Sequence, residues 1–182
     1  DLKKMQQIIE SFPSNKSQQH SYLVVDFSDF KSFKNIIEDY FNENDIDILI
    51  NNTQGVPAGD SLSKSIDDYQ IAFDVLFKCV VHTSSIALKR MKDKGWGRII
   101  NLTSISVKEP LNYLVLSNTI RAAVVTWGKS LSVDLAPYGV TVNSIITGFI
   151  DTEHLDHLNQ QKAKNLNVSV SEVLEGIKSS IP

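Results

Sequence analysis

Apolar residues recur along the chain with two periods, and the alternation between them lays out the elements. Residues 2 to 11 carry the spacing of the end of a helix, and Tyr22 to Val25 predict a short strand. After Asp29, a side chain suited to capping, Phe30, Phe33, Ile36, Ile37, Tyr40 and Phe41 return at helical intervals. Ile46 to Ile50 is apolar apart from Asp47, the pattern of a strand buried on both faces. A long helix is predicted over Ile66 to Lys94, a strand over Arg98 to Leu102, and a second helix from about Tyr113 to Pro137. The Tyr138-Gly139 turn then leads into a strand over Val140 to Ile145. Strand and helix in alternation argue an α/β fold, a parallel sheet with helices on both faces. The Ser14 to Ser21 tract reads as a polar loop, and no internal repeat or low-complexity linker interrupts the pattern.

Composition narrows the class. With 182 residues, 42% of them apolar, the chain suffices for one domain over 1–182 with a sizeable core. A charged fraction of 21% and a net charge of −3 suit a cytoplasmic surface. No basic patch with interleaved aromatics is present, so nucleic acid is not an expected partner. No apolar run approaches the roughly 18 residues of a spanning helix, so no membrane partner is expected either. The single Cys79 cannot form an intrachain disulfide and falls in a helical pattern, which points to a buried structural thiol. The chain opens on Asp1 rather than Met, so any original targeting segment is not visible in it.

Candidate chemistry concentrates between Gly97 and Arg121. A buried strand ends in the polar pair Thr103-Ser104, a loop runs through Pro110, and a helix begins near Tyr113. Three other segments stand in order at compatible spacing: VVDFSD from Val24 to Asp29, DILINNTQG from Asp47 to Gly55, and VTVNSIITGFIDT from Val140 to Thr152. Together they resemble the short-chain dehydrogenase/reductase family, and most of all its 3-oxoacyl carrier-protein reductase branch. The resemblance implies a Rossmann-like, doubly wound parallel sheet, an NAD or NADP cofactor and a small-molecule carbonyl or alcohol substrate. It also implies a homodimer or homotetramer. By the same resemblance Asp26 and Phe27 border the adenine, Asn52 and Gly55 the adenosine ribose, and Gly148 and Thr152 the nicotinamide end. Ser104 matches the serine that polarises the substrate carbonyl. The tyrosine that serves as acid and base, and the lysine that lowers its pKa and holds the ribose, match Ser117 and Arg121, while the asparagine that organises a water chain matches Leu76. Thr53 and Gln54 replace alanine and glycine, and Thr147 replaces a proline.

The residues themselves restrict what those positions can do. The Ser117 hydroxyl is far less acidic than a phenol, whose pKa is about 10, and sits on a shorter stem. Arg121, one helical turn further on, keeps a positive charge but is a fork-shaped anion binder and not a proton relay. Tyr113 would share a helix face with Ser117 and Arg121 if the helix began early enough, and Tyr113 with Lys108 would then make a displaced acid/base couple. The alternative, a capping aromatic beside a solvated loop lysine, is the favoured expectation. His154 and His157 have a spacing compatible with metal on a helix, yet no third ligand is placed by sequence, and no metal site is expected. His20 and His82 have no evident partner. Asn51-Asn52-Thr53 and Asn101-Leu102-Thr103 fit a glycosylation sequon but end predicted buried strands, which favours a structural role.

No glycine-rich phosphate loop precedes the first predicted strand. A fold of this class orders its strands 3-2-1-4-5-6, so Tyr22 to Val25 would be strand 3 and Ile46 to Ile50 strand 4. Strands 1 and 2 and the last strand would then be missing, and the first two predicted strands would stand a two-strand gap apart or pair directly. The helices over Phe73 to Ile86 and Val115 to Leu131 are apolar on more than one face, with Val80, Val81, Val124, Val125 and Trp127 included, which suggests an isologous dimer contact. Two functions stand open. One is an NAD(P)-dependent oxidoreductase whose present segment is inactive alone; the other is an inactive relative retained as an oligomerisation or ligand-binding scaffold.

Overall fold

The computed structural model describes residues 2–13, 18–179 and 181, so residues 14–17 of the polar tract fall outside the described residues. Three parallel strands make the sheet: β1 (Ile48–Asn51), β2 (Gly97–Ser104) and β3 (Val140–Thr147), in the order β1-β2-β3. Ile48 aligns with Arg98 and Asn51 with Asn101, while β2 and β3 run in register from Gly97 and Val140 to Ser104 and Thr147. Hydroxyls prolong the second pairing past the point where the apolar pattern stops. Thr103 Oγ1 donates to the Ile145 carbonyl at 3.1 Å, and Thr147 Oγ1 donates to the Thr103 carbonyl at 2.8 Å.

Helices α1 (Leu2–Ser11) and α2 (Phe30–Glu43) precede the sheet. α1 buries none of its residues, and its Lys4 meets Glu153 at 3.3 Å. α2 starts where expected, with Asp29 accepting from the Ser32 N–H at 3.1 Å, and turns Phe33 and Ile37 inward. The strand predicted at Tyr22 to Val25 does not form. Among the described residues no strand pairs with it, and a lone strand leaves its backbone groups without partners. Leu23, Val25 and Phe27 pack instead on Phe33, Ile37 and Cys79.

The long helix is one helical run with a flaw in it. α3 (Ile66–Phe73) opens on a reciprocal Ser65–Asp68 capping box, a π-helical segment follows at Asp74–Lys78, and α4 (Cys79–Lys94) ends on Gly95 in the left-handed region. The run Ile66–Lys94 is, by length and composition, long and apolar enough to cross a membrane, which corrects the expectation that no such run exists. Here it serves as a core helix: Ala72, Val75 and Leu76 pack with Leu116 and Ile120, and Ala87 and Met91 with Ile99. α5 (Val115–Leu135) starts two residues after Tyr113 and runs into a 3-10 turn at Ala136–Tyr138. α6 (Glu153–Leu166) and α7 (Val170–Ser179), not foreseen from the pattern, pack on each other through Ala163, Val173 and Ile177.

α4 and α5 cover the sheet face that carries Ile99, Asn101, Thr103, Val140 and Val142. The opposite face is open at Ile48, Ile50 and Ile145. β1 is therefore not buried on both faces as its composition suggested: Ile48 and Ile50 are 55% and 57% exposed. Among the described residues it is an edge strand of this sheet, with a neighbouring strand on one side.

Two left-handed glycines test this packing. Gly95 and Gly139 have φ of 69° and 67°, but a Cβ on Gly95 meets nothing within 4 Å, whereas one on Gly139 would run into the Gly95 carbonyl oxygen. Gly95→Ala should therefore cost about 1 kcal/mol, the strain of a side chain in that region. Gly139→Ala should cost clearly more, read from urea midpoints; equal losses would contradict the contact.

Candidate active site

The strand ends are organised by a buried amide pair. Asn51 Nδ2 donates to Asn101 Oδ1 at 2.8 Å and to Ser84 Oγ at 3.0 Å, so the last residue of β1, the middle of β2 and α4 are tied together. Asn51, Ser84 and Asn101 are all buried. Both sequon asparagines thus serve the interior.

Ser104 closes β2. Its Oγ accepts the Ser106 N–H at 3.2 Å and caps a short 3-10 turn at Ile105–Val107, which leaves the hydroxyl proton to donate elsewhere. Arg121, in the second turn of α5, folds back onto the same strand. Its Nη1 donates to the Leu102 carbonyl at 3.0 Å and its Nε to Ser117 Oγ at 3.2 Å. β1 has already ended at Asn51, opposite Asn101, so the guanidinium takes the Leu102 carbonyl just past the last paired position. Burial pulls the Arg121 pKa down from its ordinary value. Leu76 offers the site nothing polar: it is 1% exposed, in the core with Val56, Ala72, Leu116 and Ile120.

Tyr113 lies outside α5, in the turn before its first residue, so it does not continue the face of Ser117 and Arg121. That turn is clamped by Gly59, whose N–H donates to the Tyr113 carbonyl at 2.8 Å and whose carbonyl accepts from Val115 N–H at 3.2 Å. Burial pushes the Tyr113 phenol above its ordinary pKa, the opposite of what a pairing with Lys108 would do. Lys108 is exposed at the end of the 3-10 turn, and the cation that meets the Tyr113 ring is Lys162 of α6, with Nζ 5.2 Å from the ring centre. Neither Lys162 nor the Gly59 clamp was signalled by the sequence pattern.

The expected cofactor residues divide into two places. Phe27, Asn52 and Thr53 line one small cleft of about 130 Å³, together with Cys79. Next to it the exposed Asp26 carboxylate accepts from the Ser28 hydroxyl at 2.6 Å and the Ser28 N–H at 2.8 Å, hydrogen bonds that hold its pKa below the usual range. Gly55 and Gly148 are exposed, and Thr152 caps α6 by accepting from Leu155 N–H at 3.3 Å. His157 is exposed on α6, and the His154 side chain lies outside the described residues. His82, half-buried beside the Phe30 ring, sits 3.7 Å from Glu38, and His20 faces Phe12 edge-on.

The family model described as short chain dehydrogenase matches residues 1–163. The NADPH-dependent reductase BacG of Bacillus subtilis is 30% identical over 137 residues, 75% of this chain and 53% of its own. The 3-oxoacyl-[acyl-carrier-protein] reductase FabG of Haemophilus influenzae is 35% identical over 150 residues, 78% of this chain and 59% of its own. The chain thus spans little more than half the length of these curated relatives. The crystal structure of sorbitol-6-phosphate 2-dehydrogenase SrlD from Erwinia amylovora superposes with a TM-score of 0.77 over 87% of this chain and 63% of that one; at 24% identity the likeness speaks for the fold.

Cys79 gives the cleft a measurable signature. Its thiol reaches the Phe27 carbonyl at 3.7 Å, and burial pushes its pKa up from 9.0 to about 11. A folded-state pKa above the unfolded one means that the native chain holds a proton the unfolded chain releases first. The contribution is therefore complete below pH 9 and lost as pH rises toward 11. The unfolding free energy of Cys79→Ala should fall less steeply than that of the wild type across that window. Parallel curves would show that the thiol is not desolvated.

Proposed function

The chain belongs to the short chain dehydrogenase family of oxidoreductases, and from that premise we propose that the protein carrying it is an NAD(P)-dependent oxidoreductase acting on a carbonyl/alcohol pair through a divergent site. The observation that carries this reading is Arg121, a half-buried guanidinium held near the end of β2 by Ser117 and by the carbonyl of Leu102, two residues before Ser104. A cation drawn out of water in that position needs a reason, and an anionic or hydroxyl-bearing ligand supplies one.

The residues present fit the outer part of a dinucleotide. Phe27, Asn52 and Thr53 offer an aromatic face and polar groups in one cleft, and Arg121 still has N–H donors beyond the two used on Leu102 and Ser117. BacG is named as NADPH-dependent, which makes NADP the cofactor to try first; NAD stays open. Bound there, the nicotinamide would supply or accept the hydride. The Ser104 hydroxyl, with its oxygen already accepting from Ser106, is left to donate to a carbonyl oxygen. Arg121 supplies fixed charge and no proton. The proton comes from water or from Tyr113, whose phenol burial keeps protonated at neutral pH.

A second reading, an inactive relative kept as an oligomerisation or ligand-binding scaffold, draws its support from Leu76. Its burial removes any polar link at the position where the family carries asparagine. Both readings include a homodimer or homotetramer through the outer sides of α4 and α5. A groove of about 740 Å³ runs there along Leu88, Leu131, Leu135 and Tyr138. Val80 and Val124 belong to the core, which leaves Val81, Val125 and Trp127 as the half-buried part of the surface first counted. A net charge of −3 and one buried thiol suit a cytoplasmic protein.

Arg121→Ala should weaken nicotinamide binding in calorimetry, and Tyr113→Phe should lower turnover about 10²- to 10⁴-fold, the usual worth of a general acid. A wild type that binds no nicotinamide and turns over no ketone or alcohol leaves the scaffold reading. For the assembly, sedimentation at high micromolar concentration should show a dimer or larger species, and a Leu131→Glu variant should run as a monomer. A wild type that is monomeric there removes the proposed contact.

A further inference from the structure

A cavity of about 550 Å³ opens between the Ala58–Asp60 loop, the Asn112-Tyr113 turn and the side of α6 that bears Leu158, Lys162 and Leu166. Its position matters because the Gly59 clamp fixes one wall to the start of α5, whose first two turns carry Ser117 and Arg121. Its walls are apolar at Ala58, Leu158 and Leu166, and amides come from Asn112, Gln161 and Asn165.

The charges in it are unbalanced. Lys162 and Lys164 both line the cavity, and neither makes an ion pair among the described residues. Asp60 is the carboxylate on the lining, and it is engaged in its own turn, where Oδ1 accepts from the Leu62 and Ser63 N–H groups at 2.9 Å each. The Tyr113 ring under Lys162 holds the ammonium by its face without cancelling it, because burial keeps the phenol neutral. What remains is a bowl of organic dimensions with apolar sides, neutral hydrogen-bonding groups and an ammonium held at its rim. Its complement is a small organic anion.

Resting on the oxidoreductase reading, we propose that this cavity receives the anionic end, a carboxylate or a phosphate, of the carbonyl or alcohol substrate, and that Lys162 is the residue that selects it. The ring of Tyr113 sets the ammonium in place, and Lys164 adds to the local potential from the more exposed side of α6. A partly exposed lysine discriminates modestly, so the anion should bind about fivefold more tightly than a neutral analogue of the same shape.

The test is calorimetric binding to the whole protein of two matched pairs: acetoacetate against methyl acetoacetate, and dihydroxyacetone phosphate against dihydroxyacetone. The anionic member of at least one pair should bind about fivefold more tightly at low salt, and the preference should vanish near 1 M salt, where the screening length is ~3 Å. Which pair shows it separates carboxylate from phosphate. Lys162→Gln should abolish the preference, Lys162→Arg should keep it, and Lys92→Gln, on the outer groove of α4, should leave it unchanged. Equal binding within both pairs overturns the proposal. So does a preference that survives Lys162→Gln, and so does the absence of heat from either anion at about 10 mM, tenfold above a Kd of ~1 mM. None of these readouts needs the cofactor. Failure of NADPH to bind while the anion preference holds would remove the oxidoreductase reading and leave the cavity's chemistry in place.

Discussion

One buried pair of amides holds the rest of this structure in position. Asn51, the last residue of β1, meets Asn101 in the middle of the neighbouring parallel strand β2, and the same Asn51 nitrogen also reaches Ser84 on α4. A β2 slipped by one residue against β1 would turn Asn101 to the open face and leave Asn51 unpartnered in the interior, a loss of about 1 to 3 kcal/mol for the orphaned group alone. α5 is held to the same point by contact. A Cβ on Gly128 would lie 3.0 Å from Asn101 Nδ2, so a side chain there would press on the amide and make it give by a few tenths of an ångström. Two strands and two helices are thereby registered at one place. The segments that leave the strand ends, with Asn52, Ser104 and their neighbours, start from fixed positions.

The elements legible in the sequence were those whose signal is local. Periodicity placed α2, the long helix, β2 and β3, because their apolar positions face a core that α4, α5 and the sheet make together. The strand ends were less legible. Thr103 and Thr147 continue the β2–β3 ladder through hydroxyl contacts that an apolar pattern does not register. Tyr22 to Val25 has strand-like composition but no strand beside it, and composition carries no information about whether a neighbour is present. The same holds for Ile48 and Ile50, whose residue types suit burial and whose place at an edge leaves them exposed. The α/β class followed from the order of elements, and the partial Rossmann-like sheet from the family resemblance, neither of which depends on these details.

The elements that carry the candidate site residues were legible, and their geometry was not. Spacing put Ser104, Ser117 and Arg121 on a strand end and a helix, and the structure has them there. It could not tell that α5 begins at Val115, which takes Tyr113 off the helix face and into a turn clamped by Gly59. Nor could it find Lys162, which lies far along the chain on a helix that the pattern did not mark, and meets Tyr113 only once α6 has folded. The π-helical turn at Asp74–Lys78 is a third case. It replaces one hydrogen-bonding pattern by another within a single helix, Cys79 N–H reaching back to Asp74, which the residue types alone do not signal.

Ser117 and Arg121 are better understood as one substitution than as two. An arginine has separate nitrogens along a rigid fork, and here Nε serves Ser117 while Nη1 serves the Leu102 carbonyl. A lysine at 121 would bring its donors to a single point and could not span both acceptors in the same way. A short hydroxyl at 117 leaves the fork an oxygen to lie against. Once the arginine is tied to the backbone of β2, its charge becomes part of the scaffold, permanently present and poorly hydrated. What it contributes to chemistry is then electrostatic, and the proton has to be held by another group. In the proposed oxidoreductase, fixed charge on α5 and a phenol in the turn before it would take the places of a tyrosine and lysine on one helix face.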